Sequence, residues 1–135
     1  MDLSLLVPGQ GLIDEDLLIS PDVVAAYRGA VGDGATLYRK NQVVPPMAVA
    51  ALAMAAAMRA VELPKGAVHT GQELEFIRPV TPNTPLRCSV RVGQNSVRRG
   101  TRFLTLLFDV ASVDSDGLMV ATGRATIAVP EITAA

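Results

Sequence analysis

A chain of 135 residues, half of them hydrophobic, can bury one core but not two, so residues 1–135 read as a single domain. A formal net charge of -1 and 4% aromatic residues offer neither a basic surface for phosphates nor platforms for stacked bases, which argues against nucleic acid. One cysteine, Cys88, excludes an internal disulfide, and one histidine, His69, cannot form a multi-histidine centre, so no metal site is expected.

The first cationic side chain is Arg28, so no signal peptide is read and the expected compartment is the cytoplasm. Residues 1–20 are short apolar runs broken by Pro8, Gly9 and Gly11, which reads as an extended lead-in. Ser20, Pro21 and Asp22 then supply an N-cap, a first helical position and an acidic first turn. They predict a short helix over DVVAAYRGA, with Val23, Val24 and Tyr27 toward the core and an end near Gly29 to Gly32. Residues 32–42, GDGATLYRKNQ, are polar, glycine-punctuated and aperiodic, which marks a loop where chemistry could sit.

That loop feeds the stretch around which the rest is organised, VVPPMAVAALAMAAAMRAVE from Val43 to Glu62. Proline opens a helix but does not continue one, so the helix is predicted to start at Pro46 or Met47. From Met47 to Met58 every side chain is Ala, Val, Leu or Met, a pattern that predicts cover on most sides. On that reading Ala51 and Ala55 are buried, and a large residue at either would overpack the core. Arg59 and Glu62 mark the return to water, and Pro64 with Gly66 the stop. The run falls short of the roughly 20 apolar residues of a bilayer crossing, so no membrane span is expected.

Beyond Gly66 the period changes from helix to strand. Leu74 and Phe76 alternate with Glu73 and Glu75, and Leu86, Cys88, Val90 and Val92 alternate with Arg87, Ser89 and Arg91. Met119, Ala121, Ala125, Ile127 and Val129 line one face of the last run. TRFLTLLFDVASV is apolar on both faces, as in a central strand, and implies more buried surface than one sheet and one helix supply; a dimer is predicted. Pro79 to Pro85, Gly93 to Gly100 and Asp114-Ser115-Asp116-Gly117 read as connections. Two helices followed by four strands predict an α+β fold, an antiparallel sheet curled around a long central helix.

Gly32-Asp33 after a Tyr27-containing helix, Tyr38, Pro45-Pro46 before an alanine-rich helix, and VHTGQELEFIRPVTP together resemble the hot-dog fold of MaoC-like hydratases. The N-terminal MaoC-like dehydratase domain of fatty-acid-synthase type is the most similar, over roughly Ile19 to Val129. The resemblance implies two units paired edge to edge, acyl thioesters of coenzyme A or carrier protein as substrates, (R)-specific enoyl-thioester hydration or dehydration, and no cofactor. Active members carry Gly-Asp-x-Asn-Pro-x-His, whose aspartate and histidine hold a water and move protons at the α- and β-carbons. Here the matching residues are Gly32-Asp33-Gly34-Ala35-Thr36-Leu37-Tyr38, so tyrosine replaces the histidine, as in the family's non-catalytic half-domains. The loop from Tyr38 to Val43 is shorter than usual, and Asn83-Thr84 stands where a Gly-Asp turn is common.

The candidate catalytic residues are therefore Asp33 and His69, and the candidate substrate contacts are Tyr38, Pro46, Met47, Gly71 and Gln72. Asp33 is equally ordinary turn chemistry, His69 a strand-edge residue, and Tyr38 either a donor to the thioester or a plug at the tunnel mouth. Arg98, Arg99 and Arg102 form either a solvated turn or a contact for coenzyme A phosphates. Three functions follow: a catalytically degenerate, substrate-binding subunit; an active hydratase using Asp33 and His69; or a hot-dog thioesterase, weakened because the helix has no acid before Glu62. The expected partners are an acyl-coenzyme A or acyl-carrier-protein thioester and a second hot-dog subunit, as homodimer or heterodimer.

Overall fold

Period-two alternation builds one antiparallel sheet, and the alanine-rich helix lies across it. The computed structural model describes residues 2–31, 43–114 and 117–131. After a 3-10 turn at Leu3–Leu5 come β1 (Gly11–Leu17), α1 (Pro21–Val31), α2 (Pro46–Ala60), β2 (Val68–Phe76), β3 (Leu86–Arg98), β4 (Thr101–Ser112) and β5 (Met119–Pro130). The five strands stand in the order β1-β3-β4-β5-β2, each neighbouring pair antiparallel. Among the described residues no helix is long and apolar enough to cross a membrane.

The extended lead-in contains a strand that the sequence reading did not separate out. β1 pairs with β3, and a register shift between Gly11 and Ile13 breaks the alternation that would have marked it. Arg87 fastens the pair, donating to Asp14 at 2.7 Å and to Asp16 at 2.9 Å. Residues 93–98 are also strand and not a connection. A bulge between Val92 and Asn95 absorbs Gly93, where a Cβ would stand 3.0 Å from Leu107 Cγ. The turn itself is Arg99-Gly100, both at positive φ, which matches the right-handed twist of a two-residue hairpin.

α1 starts as its sequence dictates, with Ser20 Oγ accepting from the Val23 N–H at 3.2 Å. Val24 is buried and Tyr27 packs against the core, but Val23 is exposed: it is rotated off the stripe that Val24 and Tyr27 share.

α2 packs on the inner faces of β1, β3, β4 and β5. Ala48, Val49, Ala50, Ala53, Ala56 and Ala57 are buried, opposite Leu86, Cys88, Val90, Leu104, Leu106, Phe108, Val110 and Ile127 of the sheet. Leu52, Met54 and Met58 are half-buried against the same core, so the expected cover on most sides holds, but the expected burial of Ala51 and Ala55 does not. Met47, Ala51 and Ala55 are exposed, a stripe at four-residue spacing, because a single sheet reaches only the face turned toward it.

β4 is the middle strand, and this position explains its double apolarity. Its inner face presents Leu104, Leu106, Phe108 and Val110, while outward-facing Leu107 lies in a row between Arg91 and Arg124. Exposed large apolar side chains include Met47 on α2 and Val68, Phe76 and Ile77 on and just after β2. β2 is an edge strand with only Leu74 half-buried, so the half-buried alternation expected for it is mostly exposed.

Candidate functional site

The entrance to α2 is defined by its two prolines. The Val44 N–H donates to the Val80 carbonyl at 2.6 Å and ties the helix start to the segment after β2. Pro45 is the N-cap and Pro46 the first helical residue, and neither has an N–H. Ala48 N–H turns back to the Pro45 carbonyl at 2.9 Å. Among the described residues there is no side-chain cap and no acid in the first turn, so none of them compensates the positive end of the helix dipole. Met47 carries the first N–H of the helix, and its side chain is 50% exposed. A cleft of about 180 Å³ lies between the segment after β2 and the ends of β3, β4 and β5, lined in part by Arg78, Val80, Thr81, Thr84 and Ser112 and by no residue of α2. Asn83 takes a positive φ of 65°, a conformation asparagine tolerates.

β2 places the other candidates. A register shift between His69 and Gly71 changes the parity of the strand. His69 opposite Ile127, Gln72 opposite Ala125, Leu74 opposite Gly123 and Phe76 opposite Ala121 thus share the inner face, while Gly71, Glu73 and Glu75 share the outer one. Gln72 and His69 are brought together on the side of α2; Gly71 faces away. His69 also lies at the wrong end to meet Pro46 and Met47. It sits near the C-terminal end of α2, where Val68 pairs with Ala128 and a Cβ on Gly66 would lie 3.5 Å from Pro130. The helix start is level with Phe76 to Val80, about 23 Å along the strand from His69 at 3.3 Å per residue. Asp33 and Tyr38 lie outside the described residues.

Of the arginines near Gly100, Arg98 and Arg99 are exposed, while Arg102 is committed to the protein's own groups. Arg102 is largely buried, donates to Asn95 Oδ1 at 2.8 Å and forms an ion pair with Glu131. Arg98 stacks on Phe103, 4.9 Å from the ring centroid. Asn95 in turn donates to the Leu3 and Leu6 carbonyls, both at 2.8 Å, so the cluster closes the N-terminal turn onto the sheet. Cys88 is no nucleophile at neutral pH: burial, reinforced by the charges of Glu15 and Asp109, pushes its thiol up to about 11. Among the described residues no cluster of His, Cys, Asp and Glu is placed to hold a metal ion. Sequence reasoning missed the exposed stripe of α2 and the bare edge of β2. Uniform apolarity hid the stripe, and no local signal says which strand ends a sheet.

The R-hydratase PhaJ1 from Pseudomonas aeruginosa shares this architecture with a TM-score of 0.75 at 23% identity, covering 98% of this chain and 90% of that one. The chain has a hot-dog fold. A MaoC-like dehydratase from Rhodospirillum rubrum matches the hot-dog chain with a TM-score of 0.73 at 16% identity over 99% of each. The HadBC complex of Mycobacterium tuberculosis, a 3R-hydroxyacyl-ACP dehydratase, matches it with a TM-score of 0.67 at 17% identity, over 92% of this chain and 99% of that one. No family model matches the sequence, and no curated protein matches it significantly.

Proposed function

We propose that this chain is a MaoC-like subunit that binds acyl thioesters of coenzyme A or carrier protein and, alone, hydrates enoyl thioesters poorly. The observation that carries the reading is the entrance to α2, where Met47 is exposed, no described residue caps the helix or offsets its dipole, and an apolar stripe leads away. A thioester carbonyl has partial negative charge to offer the Met47 N–H and the helix dipole, and the acyl chain has Met47, Ala51 and Ala55 to run along. The two prolines remove donors that another residue type would supply, so polarisation of the carbonyl is weak.

The proton chemistry is short of one group. Asp33 can take a proton, but Tyr38 stands where active relatives have histidine, and a phenol with pKa near 10 is a donor and a poor base at neutral pH. His69, at the far end of β2 from the helix entrance, does not replace it within one protomer. Met47, Ala51 and Ala55 lie open on the helix surface, so a second hot-dog subunit is the natural source of the missing wall. That subunit pairs through the free edge of β2.

Titration calorimetry with a saturated acyl-coenzyme A tests the binding site. Met47→Asp puts a carboxylate at the helix entrance and should weaken binding by about tenfold or more, roughly 1.4 kcal/mol. Equal affinity of wild type and variant would place the thioester elsewhere.

A further inference from the structure

We infer that the free edge of β2 is built for a different hot-dog chain, one whose own edge strand carries lysine or arginine, and disfavours a second copy of this chain. The inference rests on the reading that these units pair edge to edge. Among the described residues β2 bonds to β5 along one side only, and none of them pairs with its other row of N–H and C=O groups. Val68, Phe76 and Ile77 are exposed on and just beyond it. The edge is therefore adhesive, and charge decides to what.

On the outer face of the sheet, carboxylates are matched to guanidinium groups. Asp14 and Asp16 pair with Arg87, and Asp109 pairs with Arg91 at 2.6 Å. The ladder ends at β2 with Glu73 and Glu75, which make no ion pair and no hydrogen bond through their side chains among the described residues. Arg124 stands opposite Glu73 in register without pairing with it. Two carboxylates without a close ion pair among the described residues thus occupy successive outer positions of the edge strand.

A two-fold axis makes this costly for self-pairing. When an antiparallel strand pairs with its own copy, opposed residues share a face, so one residue at the axis faces itself. With the axis at 73, Glu73 faces Glu73; at 75, Glu75 faces Glu75. With the axis at 74, Glu73 faces Glu75 twice, and at 72 the two Glu73 side chains are diagonal neighbours. Each register centred on the strand thus sets like charges together, which destabilises a cross-strand pair, whereas a basic edge at the same positions turns each contact into an ion pair.

Sedimentation of three forms tests this: wild type, Glu73→Gln/Glu75→Gln and Glu73→Lys/Glu75→Lys. Both glutamates are exposed, and circular dichroism checks that each form is folded. At low salt and micromolar concentration, wild type and the lysine form should each be monomeric, while their mixture forms a mixed dimer. The glutamine form should self-associate about tenfold more tightly than wild type. A wild-type dimer as tight as the glutamine form, or a mixture no more associated than its components, would overturn the inference. Loss of acyl-thioester binding with the mixed dimer intact would instead count against the proposed function alone.

Discussion

Replacing Ala53 by leucine probes the seating of α2 directly. Ala53 is 0% exposed, in a helix that lies against β1, β3, β4 and β5. Leucine adds an isopropyl group where close-packed side chains leave no room, and such overpacking costs about 1–3 kcal/mol. Ala51 and Ala55, two positions to either side, point away from the sheet, and alanine and leucine differ little in helix propensity. Ala51→Leu and Ala55→Leu should therefore change the stability of the isolated chain by no more than about 0.5 kcal/mol. Urea unfolding measures the contrast: the midpoint falls for Ala53→Leu with the slope unchanged, and stays for the other two. Similar losses at all three positions would refute the exposure of Ala51 and Ala55, and no loss at Ala53 would refute the packing.

Gly123 sits beneath the Phe108 ring, so that a Cβ there would fall inside it; Gly123→Ala should cost about 1–3 kcal/mol in the same assay, recovered in part by Phe108→Leu. Cys88 holds its proton more tightly folded, at about 11, than unfolded, near 9. Its contribution is complete below pH 9 and is lost as pH rises through 11, a slope of up to about 1.4 kcal/mol per pH unit that Cys88→Ala should lack. The same burial should keep the native thiol from alkylation at neutral pH until the chain unfolds. Asn95→Ala strands the Leu3 and Leu6 carbonyls and should lower stability by about 1–3 kcal/mol, with faster proteolysis ahead of β1 as the local readout.

The elements that were legible in the sequence are those whose signals are local. Pro45-Pro46 and Gly66 bracket α2, Ser20-Pro21-Asp22 opens α1, and strict alternation from Leu86 to Val92 marks β3. Illegible parts depend on partners distant in sequence. β1 exists because β3 offers it an edge, and the continuation of β3 past Gly93 depends on Leu107 filling the space of a missing side chain. All-round apolarity in α2 gives no phase, so the sequence could not show that Ala53 faces the sheet and Ala51 does not. At the site, Met47 was legible as the start of the helix. The separation of His69 from that start was not, because it follows from β2 running antiparallel to β5 and past the whole length of α2.

Catalytic degeneracy is tested most directly by the rate at which the isolated wild-type chain hydrates a trans-2-enoyl thioester of coenzyme A, followed by loss of the enoyl absorbance. The expected rate is close to background. Tyr38→His should raise it, since a positioned acid–base group contributes about 10²- to 10⁴-fold, and Asp33→Asn in that variant should remove the gain. A wild-type chain that is already a fast hydratase, and loses that activity on His69→Ala, would contradict the degenerate site and make His69 the base.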